Sequence, residues 1–168
     1  MYFASVYPLL ILVKLAITAW LIIVAVWDSR TGLIPNWLTL PVVAVGGALS
    51  LYAGPMEARV ILLLTWVVLL LVWSLHIFGG GDAKFLMGLF AFFPRVDFVL
   101  VFCIVLFLVT LGLIIADLWR QRPGELGHKL AARLGAHQFL PTSEELIRRG
   151  RHYAWTFSLA GVVALWLI

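Results

Sequence analysis

Apolar residues in this chain fall in long, nearly unbroken runs, not in the short alternations of half-buried strands. The first run, from Pro8 to Trp27, contains one charge, Lys14. Others follow near 37–54, 60–78, 85–94, 97–117 and 153–168. A helix needs about 20 apolar residues to cross a bilayer. The pattern therefore predicts an all-α fold, a polytopic membrane helix bundle of about six transmembrane helices. The fourth run, "FLMGLFAFFP", is too short to cross unless its helix starts inside the glycine-rich corner before it.

Polar positions collect in one long stretch, from Arg120 to His152. Within it "PGELGHKLAARLG" places Leu126, Leu130 and Leu134 on one helical face beside Lys129 and Arg133, as in an amphipathic helix on a membrane surface. The next segment, "TSEELIRRG", pairs Thr142 with Glu145 as a capping box and stops at Gly150, so a second short surface helix is expected.

Composition agrees with the pattern. Of 168 residues, 64% are hydrophobic and 12% charged, and the mean hydropathy of +1.08 excludes an ordinary soluble domain. The net charge is +4, and most of the excess lies in the long polar stretch, at Arg120, Arg122, Lys129, Arg133, Arg148, Arg149 and Arg151. By the positive-inside rule that stretch is cytoplasmic. Alternating spans then put Arg30 and Lys84 on the same side, Arg59 and Arg95 in outer loops, and both termini outside. The basic residues flank spans without interleaved aromatics, which suits anionic lipid better than nucleic acid. Lys14 reads as a snorkelling lysine.

One cysteine, Cys103, supports neither a disulfide framework nor a CxxC zinc site, and no metal or cofactor is expected. The opening "MYFASVYPLLILV" has no positive n-region, so the first span is expected to be retained. The expected organisation is a single membrane-embedded domain, 1–168, with a basic cytoplasmic loop at 118–152.

The chemistry gathers at two places. "FGGGDAKFL" sets Gly79, Gly80 and Gly81 before Asp82 at the end of an apolar run, where a triple glycine gives up helix stability and a carboxylate is costly. Asp28 ends the first span, and the topology brings it to the same membrane boundary as Asp82. Either alone reads as a solvated helix end. Together, two carboxyl groups in hydrogen-bond reach would share a proton. The ionised member could take a proton from water while the protonated one polarises a peptide carbonyl, which is peptide hydrolysis without metal or covalent intermediate. Glycines at the corner would let an unwound substrate backbone come close, although a plain turn also uses glycine.

The segment after Asp28, "DSRTGLIPNWLTLP", is also built for a turn. Gly32 can reverse the chain, Pro35 disfavours helix at Ile34, Asn36 can cap, and Trp37 suits the interface. Lys84 either raises the local positive potential beside Asp82 or anchors to head groups. Asp97 falls on the outer side and Asp117 reads as a span terminus beside Arg120.

These residues resemble the type IV prepilin peptidase family, whose members carry a GxGD motif followed by a lysine and a first aspartate shortly before I-P-N. Gly79, Gly81, Asp82 and Lys84 match the former; Asp28, Ile34, Pro35 and Asn36 match the latter. With the span pattern, the resemblance covers about 20 to 117. It implies that Asp28 and Asp82 are the catalytic pair of an intramembrane aspartic peptidase. Such an enzyme removes the leader of prepilins or pseudopilins at the cytoplasmic face of the inner membrane. Gly79, Gly80, Gly81, Lys84, Pro35 and Asn36 would be substrate-binding or supporting residues. Larger members carry a cytoplasmic domain with paired CxxC motifs and also N-methylate the product. This chain is more similar to the short, peptidase-only branch of Flp-type pilins or archaeal preflagellins. Its last span lacks the proline expected near its start.

Two other readings compete. An ion-coupled transporter or channel subunit would use Lys14, Asp28, Asp82, Asp117 and His76 as a path, but such a path needs polar groups near the midplane. An inactive scaffold for pilus assembly would not need both aspartates and the glycines.

Overall fold

The computed structural model describes residues 3–75, 77, 79–120 and 154–168. Six helices are found among them: α1 (Phe3–Thr31), α2 (Asn36–Tyr52), α3 (Met56–Ser74), α4 (Gly80–Phe92), α5 (Val96–Arg120) and α6 (Ala154–Leu167). No strand occurs among the described residues. Stretches of α1, α3 and α5 are long and apolar enough to cross a membrane, namely Pro8–Thr31, Met56–Ser74 and Val96–Ala116, while α2 and α6 are shorter apolar helices. The fold is an all-helical membrane bundle. His76 and the surface helices expected at 126–134 and 142–150 lie outside the described residues, as does the expected basic loop beyond Arg120.

Glycine and proline set the boundaries. Gly32 has φ 69°, the left-handed conformation in which a side chain is strained, and its N–H donates to the Asp28 carbonyl at 2.8 Å. This is an αL cap, and it ends α1. Pro35 caps α2 in extended conformation. Pro55 does the same for α3, with Glu57 in its first turn facing the positive helix end. Helix α4 begins at Gly80, inside the glycine corner, and stops ahead of Pro94.

The chain divides into two compact units, Met1–Leu106 with His152–Ile168, and Phe107–Arg151. In the first, α4 is the buried axis. Its 13 residues make a rod about 20 Å long, short of the ~30 Å hydrocarbon thickness, so it depends on protein cover. That cover is supplied. Phe85, Leu86, Leu89, Phe90 and Ala91 are almost inaccessible, with α2, α3 and α6 packed against α4 and α1 packed on α6. Trp20 of α1 stacks on Phe85 with ring centroids 5.0 Å apart and donates its indole N–H to the Leu38 carbonyl at 2.9 Å. Trp66 of α3 donates to the Met87 carbonyl at 3.1 Å. Apolar side chains on the other faces, such as Leu12, Leu40 and Leu64, are exposed, as lipid-facing positions require. The described part of the second unit, residues 107–120, is the later portion of α5, where Thr110 returns its hydroxyl to the Phe107 carbonyl at 2.9 Å.

Candidate active site

The aspartate in the last turn of α1 is an odd choice locally. A carboxylate near a helix C-terminus opposes the helix dipole, yet Asp28 is placed there and is 6% exposed. Its main chain is fixed by the Gly32 cap. Its side chain is held from another helix: Oδ2 accepts the main-chain N–H of Ala154, the first residue of α6, at 3.3 Å.

Asp82 occupies the third position of α4, after Gly79 as the cap and Gly80 and Gly81 as the first two helical residues. Its carboxylate accepts the Gly79 main-chain N–H, the reciprocal half of a capping box, and the Gly79 carbonyl accepts the Ala83 N–H at 3.1 Å. Asp82 is half-buried, and the Asp28 carboxylate is close enough to act on it electrostatically. The two expected carboxylates are therefore near enough to interact.

Each glycine of the corner has a neighbour. A Cβ on Gly81 would lie 3.1 Å from Ile34 Cβ, one on Gly80 3.3 Å from Trp73 Nε1, and one on Gly79 3.2 Å from Asp82 Oδ2. The space freed by Gly80 and Gly81 is taken up by the protein itself, which seats α4 tightly against the turn after α1. Gly79 alone of the three is exposed.

A second link ties the motifs together. Lys84 donates Nζ to Asn36 Oδ1 at 2.8 Å. Asn36 makes no side-chain cap; Pro35 holds the capping position, in extended conformation. Gly81 on Ile34 and Lys84 on Asn36 thus join "GGGDAK" to "LIPN" over two successive contacts. Beside them Trp27 and Trp37 meet edge to face, centroids 5.5 Å apart, both open to the surroundings.

Asp97 belongs elsewhere. It pairs with Arg95, with Arg95 Nε donating to Oδ1 at 3.0 Å. Pro55, Glu57, Pro94, Arg95 and Asp97 line one cavity, so the α2–α3 and α4–α5 loops share an end of the first unit. Asp117 lies in α5 within the second unit.

Sequence reasoning singled out both aspartates and the turn residues, and the structure shows the turn at Gly32 and the Pro35 cap. It did not find Trp73 behind Gly80 or the Ala154 N–H. A tryptophan inside an apolar span looks like any other span residue, and a main-chain N–H has no sequence signature.

Comparison with known proteins gives the family. The model of the type IV leader peptidase family matches residues 15–116, a stretch containing both aspartates and both turns. No curated protein and no solved structure matches. With the match covering most of the chain, this protein belongs to the type IV leader peptidase family.

Proposed function

We propose that this peptidase-family protein is an aspartic endopeptidase that removes the leader of type IV prepilin-like proteins at the cytoplasmic membrane face. Asp28 and Asp82 are its catalytic pair. The observation that carries the reading is their convergence: two carboxylates from separate helices, each with its own main-chain N–H donor, close enough to influence one another.

Two carboxyl groups so placed do not both ionise cheaply, and one proton between them gives a base and an acid in a single site. The base takes a proton from water, which attacks the scissile carbonyl. The acid hydrogen-bonds the carbonyl oxygen and returns a proton to the leaving amine. The protein's remaining task is to hold the carboxyls at matched height. The Gly81–Ile34 and Lys84–Asn36 contacts do this between α4 and the start of α2. The exposed main chain at Gly79, beside Asp82, is where an extended substrate segment can approach closely.

A pilin precursor suits this arrangement because its leader precedes a long apolar helix, which the exposed apolar sides of the bundle can hold in the bilayer. The positive-inside pattern places Arg30, Lys84 and the basic stretch with the aspartates in the cytoplasm. Co-expression with prepilins from the same genome, followed by N-terminal mapping of the product, tests the reading. Cleavage a few residues ahead of the apolar helix is expected. An intact leader on every prepilin supplied contradicts it.

A further inference from the structure

Helix α6 lies outside the stretch that matches the family, residues 15–116, yet it reaches the site. We propose that the main-chain N–H of Ala154, at the start of α6, is a positioning group for Asp28 that holds its carboxylate in the orientation cleavage requires. The inference rests on the assignment of Asp28 to the catalytic pair.

Three observations carry it. The first is the bond itself, 3.3 Å from the Ala154 N–H to Asp28 Oδ2, between a residue 0% exposed and one 6% exposed. In so enclosed a place a hydrogen bond has little competition from water and restricts the carboxylate's rotation.

The second is the docking of α6 along α1. Ser158 donates Oγ to the Leu21 carbonyl at 3.0 Å, and Trp166 donates Nε1 to Thr18 Oγ1 at 3.1 Å. The order of contacts, Ala154 to Asp28, Ser158 to Leu21, Trp166 to Thr18, makes the helices antiparallel. The start of α6 is thereby brought to the end of α1.

The third is side-chain size. Small residues make up much of the buried side of α6: Ala154, Ser158, Ala160, Gly161 and Ala164 are buried there together with Thr156, Phe157 and Leu165, while Trp155, Leu159 and Trp166 are more exposed. Small residues let helix backbones approach closely in a membrane. At Gly161 the approach is at its limit, since an added Cβ would lie 3.2 Å from Leu21 Cδ1 and 3.1 Å from Leu89 Cδ2. A helix docked this closely places its first N–H with little freedom. Among the described residues the one ion pair, Arg95–Asp97, is not at Asp28, so the polar anchor given for Asp28 comes from the main chain.

The test removes the N–H without removing α6. Proline is tolerated at the first helical position and lacks that donor, so the full-length Ala154→Pro protein is compared with wild type in lipid, with a prepilin as substrate. An ester in place of the Ala154 amide, with lactic acid at that position, removes the same N–H without the proline ring and covers displacement of the helix by the ring. Misplacing a reacting group by an ångström can cost about 100-fold. The expected result is kcat lowered about 10- to 100-fold with KM within about twofold, in both proteins. Ala154→Gly, which keeps the donor, should restore cleavage. Native kcat in the ester protein, or an equal loss in Ala154→Gly, overturns the proposal. Asp28→Asn is run alongside: if it still cleaves, the catalytic assignment itself has failed, whatever the Ala154 variants do.

Discussion

The Lys84 ammonium meets the Asn36 side-chain carbonyl at 2.8 Å, joining residues 48 positions apart in the sequence. One belongs to the helix that carries Asp82, the other to the first turn of the helix that follows the Asp28 turn. If this bond keeps the two aspartates in register, its partners act as a unit. Lys84→Ala and Asn36→Ala should each slow cleavage about 3- to 10-fold, the range of one partly exposed hydrogen bond. The double variant should be no slower than the more affected single one. Cleavage rates at matched membrane levels measure this, and losses that simply multiply would mean that the two side chains act separately.

Gly81 gives a steric prediction. Its missing Cβ would lie 3.1 Å from Ile34 Cβ and 3.6 Å from the Ile34 carbonyl oxygen, and valine adds two further methyl groups at that point. Gly81→Val should lower cleavage at least about 10-fold by pushing α4 away from the turn after α1. An added Cβ at Gly112 meets nothing within 4 Å, so Gly112→Ala should cleave as wild type. Equal activity of the two variants, both normally inserted, would remove the role given to the corner.

The sequence carried the turns and helix starts further than it carried the packing. Gly32 and Pro35 were legible because each has a conformational reason at its own position, and the structure places a left-handed turn at one and a helix cap at the other. The helical start inside the glycine corner followed from the length of the apolar run, and α4 does begin at Gly80. Asn36 was less legible: its side chain suits a cap, but it accepts from Lys84 instead. Gly80 and Gly81 read as open ground for a substrate, yet Trp73 and Ile34 stand against them. Such contacts join distant parts of the chain, and no local pattern encodes them. The Ala154 donor was hidden for a simpler reason, since every residue but proline carries an N–H.

Sidedness is checked by labelling. The positive-inside pattern puts the turn after Asp28 in the cytoplasm and the loop before Glu57 outside. Ser29 and Glu57 are both exposed, and Cys103 is the one native cysteine. In a Cys103→Ala background, Ser29→Cys and Glu57→Cys should react with an impermeant maleimide from opposite sides of the membrane. Labelling of both from the same side would refute the orientation.

The central claim concerns three aspartates. Asparagine keeps the size of aspartate and cannot ionise, so Asp28→Asn and Asp82→Asn should each abolish leader removal while the protein still inserts. If the two carboxyls work as one acid–base unit, the double variant should be about as inactive as either single one. Asp117 reads from the sequence as a span terminus and is not assigned to the pair, so Asp117→Asn should keep most of the activity. The measurement is the mass shift of a co-expressed prepilin, with membrane levels of each variant followed in parallel. The account predicts full-length prepilin with Asp28→Asn and Asp82→Asn and a trimmed product with Asp117→Asn. Trimming by Asp28→Asn or Asp82→Asn, with loss of trimming in Asp117→Asn, would contradict it.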